Sequence, residues 1–206
     1  MTTLSRPETL RLFIAVDLSP EGLSPLSHLI QGLRESYVHG MRLVAAQNIH
    51  LTLKFLGDTN RERLPSLIAA IDELGTQVTP FTVRLGAVGG FPNLKHPRVL
   101  WVGLGGMNQS VTALARLIEE VCQSIGFQQA TQSFSPHLTV ARMRAAASPE
   151  DRKKASETLL SLPWEPGIPI PIFSFKLFES NLTSQGPIYR SLHTVPLSLP
   201  PNILLP

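Results

Sequence analysis

The tetrapeptide His50-Leu51-Thr52-Leu53 returns, with one conservative change, as His137-Leu138-Thr139-Val140. In an extended strand, residues i and i+2 leave the same face, so each copy sets an imidazole beside a hydroxyl and turns its apolar residues the other way. With 6 histidines and 43% apolar residues in 206 positions, chance yields roughly 0.08 His-apolar-Thr-apolar matches per chain, so two copies point to a duplicated site. Taken singly, either histidine reads as a structural residue hydrogen-bonded within its strand. As a pair they suit displacement at phosphorus. One imidazole takes a proton from water and the other gives one to the departing oxygen, both titrating near neutral pH. Threonine hydroxyls donate to non-bridging oxygens and stabilise charge as it shifts.

His28, His39, His96 and His193 belong to no second motif and read as structural or surface residues. No His-x-x-x-His spacing suggests metal ligands, so neither a metal nor a cofactor is expected. The lone Cys122 cannot form an internal disulfide and reads as helix packing in an apolar run.

The elements that must carry the motifs follow from periodicity. A short apolar run over 11–17 predicts a buried strand, and three- and four-residue spacing predicts a helix over 21–37. Residues 49–56 alternate as a half-buried strand with His50, Thr52 and Lys54 on one face and Leu51, Leu53 and Phe55 on the other. A helix is predicted over 63–74, with Gly75 at a C-terminus that wants positive φ. Strands follow over 81–85 and 99–104, and the Gly89-Gly90-Phe91-Pro92-Asn93 segment between them reads as irregular loop. The strongest helical stripe runs from Val111 to Ile125 behind Asn108 as N-cap and is closed by Gly126. A strand over 134–142 and a helix opened by Ser148-Pro149-Glu150-Asp151 come next. The proline-rich stretch 164–171 leads into strands over 172–178 and 188–194, and the tail beyond residue 197 is expected to be a loose extension.

Strands and helices mix without strict βαβ alternation, so the expected class is α+β: one two-lobed, pseudo-symmetric domain spanning 1–206. Two antiparallel-rich sheets are expected to line a central cleft, with helices outside. Apolar residues at 43% and charged residues at 16% describe a self-folding globular chain. The net charge of +3 attracts polyanions without identifying one. Neither a signal peptide nor a membrane span is read from the sequence, so the expected location is cytoplasmic, with no membrane partner and a monomeric state.

At the motif residues the chain resembles the two-histidine phosphoesterase superfamily, and within it the RNA 2′,3′-cyclic phosphodiesterase group, also called 2′-5′ RNA ligases. The resemblance extends to Arg11-Leu12-Phe13-Ile14-Ala15, to Asn48 through Asp58, to Phe91-Pro92 with Arg98-Val99-Leu100-Trp101, to Ser135 through Arg142, and to Glu179-Ser180 with Gly186-Pro187-Ile188-Tyr189. It spans about residues 10–197. Leu43 stands where the family usually has Trp.

The resemblance implies an open basic cleft without metal or cofactor, acting on RNA with 2′,3′-cyclic phosphate ends or on small cyclic nucleotides. His50 would be the general acid for the departing 3′ oxygen and His137 the general base for water, giving a 2′-phosphomonoester; the residues by themselves leave these roles interchangeable. Thr52 and Thr139 match phosphate-binding positions. Arg142 matches an arginine supporting the phosphate, although simple strand parity puts it on the wrong face unless a bulge follows Val140. Phe13 is a candidate to stack on a base, against a core role. Lys54 is a candidate for the RNA backbone, against a solvated or paired one.

Three readings stand. The first is hydrolysis of RNA cyclic phosphate ends, with reverse ligation allowed by microscopic reversibility. The second keeps the chemistry but takes a small nucleotide such as an ADP-ribose cyclic phosphate or 2′-5′ oligoadenylate. The third is an RNA-end-binding module without turnover, for which an acid–base pair would be superfluous.

Overall fold

The computed structural model describes residues 9–106, 108–183 and 186–198. Among them the strands are β1 (Thr9–Asp17), β2 (Met41–Leu43), β3 (His50–Asn60), β4 (Phe81–Phe91), β5 (Val99–Gly105), β6 (His137–Met143), β7 (Pro169–Ile172), β8 (Ser174–Thr183) and β9 (Gly186–Pro196). The helices are α1 (Pro20–Glu35), α2 (Leu64–Gly75), α3 (Gln109–Ser124) and α4 (Pro149–Ser161).

The helices form where apolar stripes and caps coincide. Val111, Leu114, Ala115, Ile118 and Cys122 bury one face of α3. α4 starts in a full capping box, in which the Ser148 hydroxyl accepts from the Asp151 N–H while the Asp151 carboxylate accepts from the Ser148 N–H. At α3 the expected N-cap position is right but the bond is different: Asn108 turns back, and its Nδ2 donates to the Leu104 carbonyl at 3.1 Å.

All strand pairs are antiparallel, in the order β7-β4-β5-β6-β3-β1-β8-β9, with β2 also pairing β6. The α+β class and the two lobes hold. The two expected sheets, however, are halves of one nine-stranded sheet, β7-β4-β5-β6 and β3-β1-β8-β9, joined among the described residues by the single pair Leu51 and Leu138. The halves are interleaved in sequence. β4 follows α2 yet lies beside β5, and β8 follows the second half's elements yet lies beside β1. α2 and α3 pack against the β3 half, α1 and α4 against the β6 half. A single continuous core results, with Leu12, Ile14, Leu51, Leu100, Leu114 and Leu138 fully buried. No helix among the described residues is long and apolar enough to cross a membrane.

Three local expectations are corrected. β4 runs through Gly89 and Gly90 to Phe91, so the first three residues of the supposed loop are strand and only Pro92 and Asn93 are irregular; Gly89 is needed because the Trp101 indole lies where its side chain would project. Gly75 ends α2 without positive φ, and its missing side chain instead admits Val195 and the Pro196 carbonyl of β9. The edge strands β2 and β7 are not apparent in the sequence. β7 carries Pro169 and Pro171 at exposed positions of an outer strand, where a missing N–H costs no ladder bond. Of the expected tail, residues 199–206 lie outside the described residues.

Because the halves meet at one pair, the fully buried Leu138 should be sensitive. Leu138→Ala is expected to cost about 2–5 kcal/mol in urea-induced unfolding, and to couple non-additively with Leu51→Ala.

Candidate active site

Leu51 and Leu138 point into the core from adjacent strands. Their flanking residues must therefore point to the other face, and His50, Thr52, His137 and Thr139 line it, each half-buried. In antiparallel pairing about this centre, His50 falls beside Thr139 and Thr52 beside His137. Strand pairing therefore brings the two distant motifs to one cleft, with an imidazole at each end.

Each imidazole is fixed by the same local bond. His50 Nδ1 lies 2.8 Å from the Asn48 carbonyl and His137 Nδ1 lies 2.7 Å from the Ser135 carbonyl. A carbonyl only accepts, so Nδ1 carries the proton in both rings, and in the neutral form Nε2 keeps its lone pair for the cleft.

Aromatic side chains hold the rings from behind. Phe13 lies 4.9 Å from His50 between ring centroids, Tyr189 meets His50 edge-on at 5.0 Å, and Phe178 stacks on Phe13 at 5.2 Å. On the other side Phe91 meets His137 edge-on at 4.9 Å, with Trp101 at 6.4 Å. Phe13 is only 3% exposed. The expectation that it offers a free face to a base is corrected: it is the packed wall that orients His50. Tyr189, Phe178 and Phe91 are site residues that the strand patterns do not reveal; Tyr189 and Phe91 fall only within the family-like segments.

Both motif strands bulge at the same position. β1 pairs Ile14 with Lys54 and then Ala15 with Thr52, leaving Leu53 over; β5 pairs Leu100 with Ala141 and then Trp101 with Thr139, leaving Val140 over. The extra residue resets parity. Arg142 is thereby exposed on the face of His137 and Thr139, paired with Val99, as the bulge condition required. Its charge reaches His50, His137 and Tyr189. Arg42 stands directly opposite Arg142 in the β2–β6 register, adding a second cation on this face that sequence reasoning missed.

The same reset moves Lys54 off the face it was expected to share with His50. Its side chain is 1% exposed, with Nζ 2.7 Å from Glu119 and 3.0 Å from the Gln128 carbonyl. Lys54 thus braces the α3–β6 connection from inside the protein, and Phe55 takes the cleft side.

Desolvation dominates the electrostatics. Burial pushes His50 from its ordinary 6.5 down to about 4, against the raising effect of the Asn48 carbonyl and with smaller lowering from Arg142 and His137. His137 is lowered by burial and by Arg142, and Tyr189 is raised by burial. Both imidazoles are therefore mainly neutral at pH 7 until an anion enters. Cys122 is a buried packing residue whose thiol is pushed up to about 11. His28 and His96 are exposed elsewhere, His39 pairs with Asp151, and His193 with Asp72. Among the described residues no group of three His, Cys, Asp or Glu has metal-binding geometry.

A duplicated antiparallel sheet with two histidine–threonine pairs and an arginine about one cleft defines a phosphoester-handling class of site. The family model for LigT like phosphoesterases matches residues 16–101 and again 105–189, once for each motif, and the chain belongs to that family. It is 34% identical over 189 residues to the RNA 2′,3′-cyclic phosphodiesterase of Archaeoglobus fulgidus, covering 89% of this chain and 98% of that one. The enzyme of that name from Methanocaldococcus jannaschii is 28% identical, over 88% of this chain and 97% of its own. Among solved structures, a protein of Thermus thermophilus superposes with a TM-score of 0.76 at 28% identity, covering 91% of this chain and 98% of that one. E. coli LigT complexed with 3′-AMP gives 0.71 at 25% identity, covering 93% and 99%.

The lowered His50 value links the site to stability. Between pH 6.5 and about 4 the unfolded chain binds a proton that the folded one refuses, so stability is full above pH 6.5 and falls on acidification through this window. The contribution is roughly 3 kcal/mol. His50→Gln is expected to lose less stability than wild type between pH 7.5 and 4.5 in urea titrations; an identical loss would contradict the buried neutral ring.

Proposed function

We propose that this protein hydrolyses 2′,3′-cyclic phosphate ends of RNA to 2′-phosphomonoesters, with His50 and His137 as its acid–base pair. The observation that carries this reading is the matched pair of imidazoles, each with Nδ1 held by the carbonyl two residues earlier and Nε2 left for the cleft. The names of the relatives support the reaction, and the 3′-AMP complex of E. coli LigT supports a ribose phosphate in the cleft.

In the forward direction, the neutral Nε2 of His137 takes a proton from water as its oxygen bonds to phosphorus. The P–O3′ bond breaks in line, and the protonated His50 gives its proton to the departing O3′. One water is consumed, and the products are a 2′-phosphomonoester and a free 3′ hydroxyl. The two rings leave the cycle with protonation states exchanged and reset through solvent. Thr52, Thr139 and Arg142 take the non-bridging oxygens, replacing hydration with preorganised donors. The incoming phosphate also offsets the field of Arg142, which makes it easier to protonate one ring of the pair. A 5′ hydroxyl attacking phosphorus in place of water, with its proton passing to His137 and O3′ departing with the proton of His50, forms a 2′-5′ phosphodiester and accounts for ligation as a minor activity.

His50→Ala and His137→Ala are each expected to lower kcat by about 10²- to 10⁴-fold while the far-ultraviolet spectrum stays native, and wild-type turnover is expected to persist in EDTA. Near-wild-type turnover of either variant removes that residue from the mechanism.

The productive free enzyme carries one proton on the pair, and with both rings lowered its kcat/KM optimum falls on the acid side of 6.5. Arg142→Gln removes a lowering charge from both, so besides losing activity it should move the profile to higher pH. An unmoved profile would place the guanidinium away from the imidazoles.

A further inference from the structure

β3 and β6 part on both sides of the Leu51–Leu138 pair, and the two gaps are filled differently. On one side β2 pairs with residues 141–143 of β6. A shift of 87 residues, the spacing of the motifs, carries 141–143 onto 54–56 of β3 and carries β2 onto residues 128–130. Those residues form no strand. They are tied to α3 instead: the Ala130 N–H donates to Glu119 at 2.9 Å, and Lys54 bridges Glu119 and the Gln128 carbonyl. The site's pseudo-symmetry is broken here, and the gap that β2 closes on one side stays open on the other.

The opening is a groove of about 1790 Å³ that starts at Thr52 and His137 and is lined farther out by Phe55, Gln128, Gln132 and Arg98. That exceeds the roughly 300–1,000 Å³ of a pocket for one small ligand. Phe55 is 73% exposed, on the cleft side of the Leu53 bulge, with its ring 6.2 Å from Phe13, which in turn backs His50. An open aromatic face on the strand that carries His50, one ring beyond that histidine, is of the kind on which single-stranded RNA stacks its bases. Arg98 is exposed and has no carboxylate partner among the described residues, whereas Arg116 is paired with Glu120 and Arg63 is bonded to the Ile125 carbonyl.

We infer that this groove holds the RNA chain on the 5′ side of the reacting end, with Phe55 stacking on the base of the nucleotide that precedes the cyclic phosphate and Arg98 facing its phosphodiester. The inference rests on the phosphodiesterase reading and deepens it: the preferred substrate is a polynucleotide end, and a mononucleotide leaves the groove empty.

The experiment compares a trinucleotide ending in a 2′,3′-cyclic phosphate with the matching nucleoside 2′,3′-cyclic phosphate. Wild type should show the lower KM for the trinucleotide. Phe55→Ala should raise that KM about 5- to 100-fold with kcat unchanged, Phe55→Trp should keep it low, and neither should change kcat/KM for the nucleoside substrate more than about 2-fold. Arg98→Gln should weaken the salt dependence of KM for the trinucleotide only. Equal wild-type KM values for the two lengths, an unaltered KM in Phe55→Ala, or equal losses on both substrates would overturn the groove assignment and leave the phosphodiesterase reading standing. Absence of wild-type turnover on both substrates would overturn the two together.

Discussion

The site depends on one backbone contact, the antiparallel pairing of Leu51 with Leu138. Both side chains are buried, and strand alternation then forces their four polar neighbours onto the opposite face. No loop has to be placed with accuracy for the two imidazoles to share a cleft. The same contact joins the two half-sheets, so the element that assembles the site also holds the lobes together. Because the chain passes back and forth between the halves, each half-sheet is completed by strands from distant parts of the sequence.

Around this centre the protein uses matched devices with unmatched contents. Each histidine has a carbonyl two residues earlier, each motif strand has a bulge at its fourth position, and each ring has a phenylalanine close behind or beside it. Past the bulges the two strands diverge in chemistry. One presents Arg142 and buries Ala141; the other presents Phe55 and buries Lys54. The buried ammonium is satisfied by a carboxylate and a carbonyl, which is the condition for holding a charge inside. A symmetric pair of acid–base groups is thereby set between unlike walls, one cationic and one aromatic.

Much of this is legible in the residues. The repeated His-x-Thr pattern on alternating strands locates the four central side chains, and the Ser148 to Asp151 box locates α4 to within a residue. The bulges are not legible, because Leu53 and Val140 look like ordinary members of an alternating strand. What marks them as extra is the partner strand's register, which is a tertiary fact. That single ambiguity accounts for the reversal of Lys54 and Phe55 and for the open question over Arg142. For Phe13 the sequence leaves base stacking and a core role open, because the β8–β9 hairpin that covers it with Phe178 and Tyr189 lies roughly 165 residues later in the chain, beyond what local patterning can connect. The interleaving of β4 and β8 is likewise a property of crossovers that periodicity does not encode.

The central claim is that both imidazoles act on one phosphorus atom, and histidine side-chain nuclear magnetic resonance tests it most directly. With all six imidazoles labelled, titration of the protein with and without a nucleoside 2′-monophosphate should show His50 and His137 rising in pKa together. A rise confined to one of the two rings, with the other indifferent to the bound phosphate, would contradict the shared site.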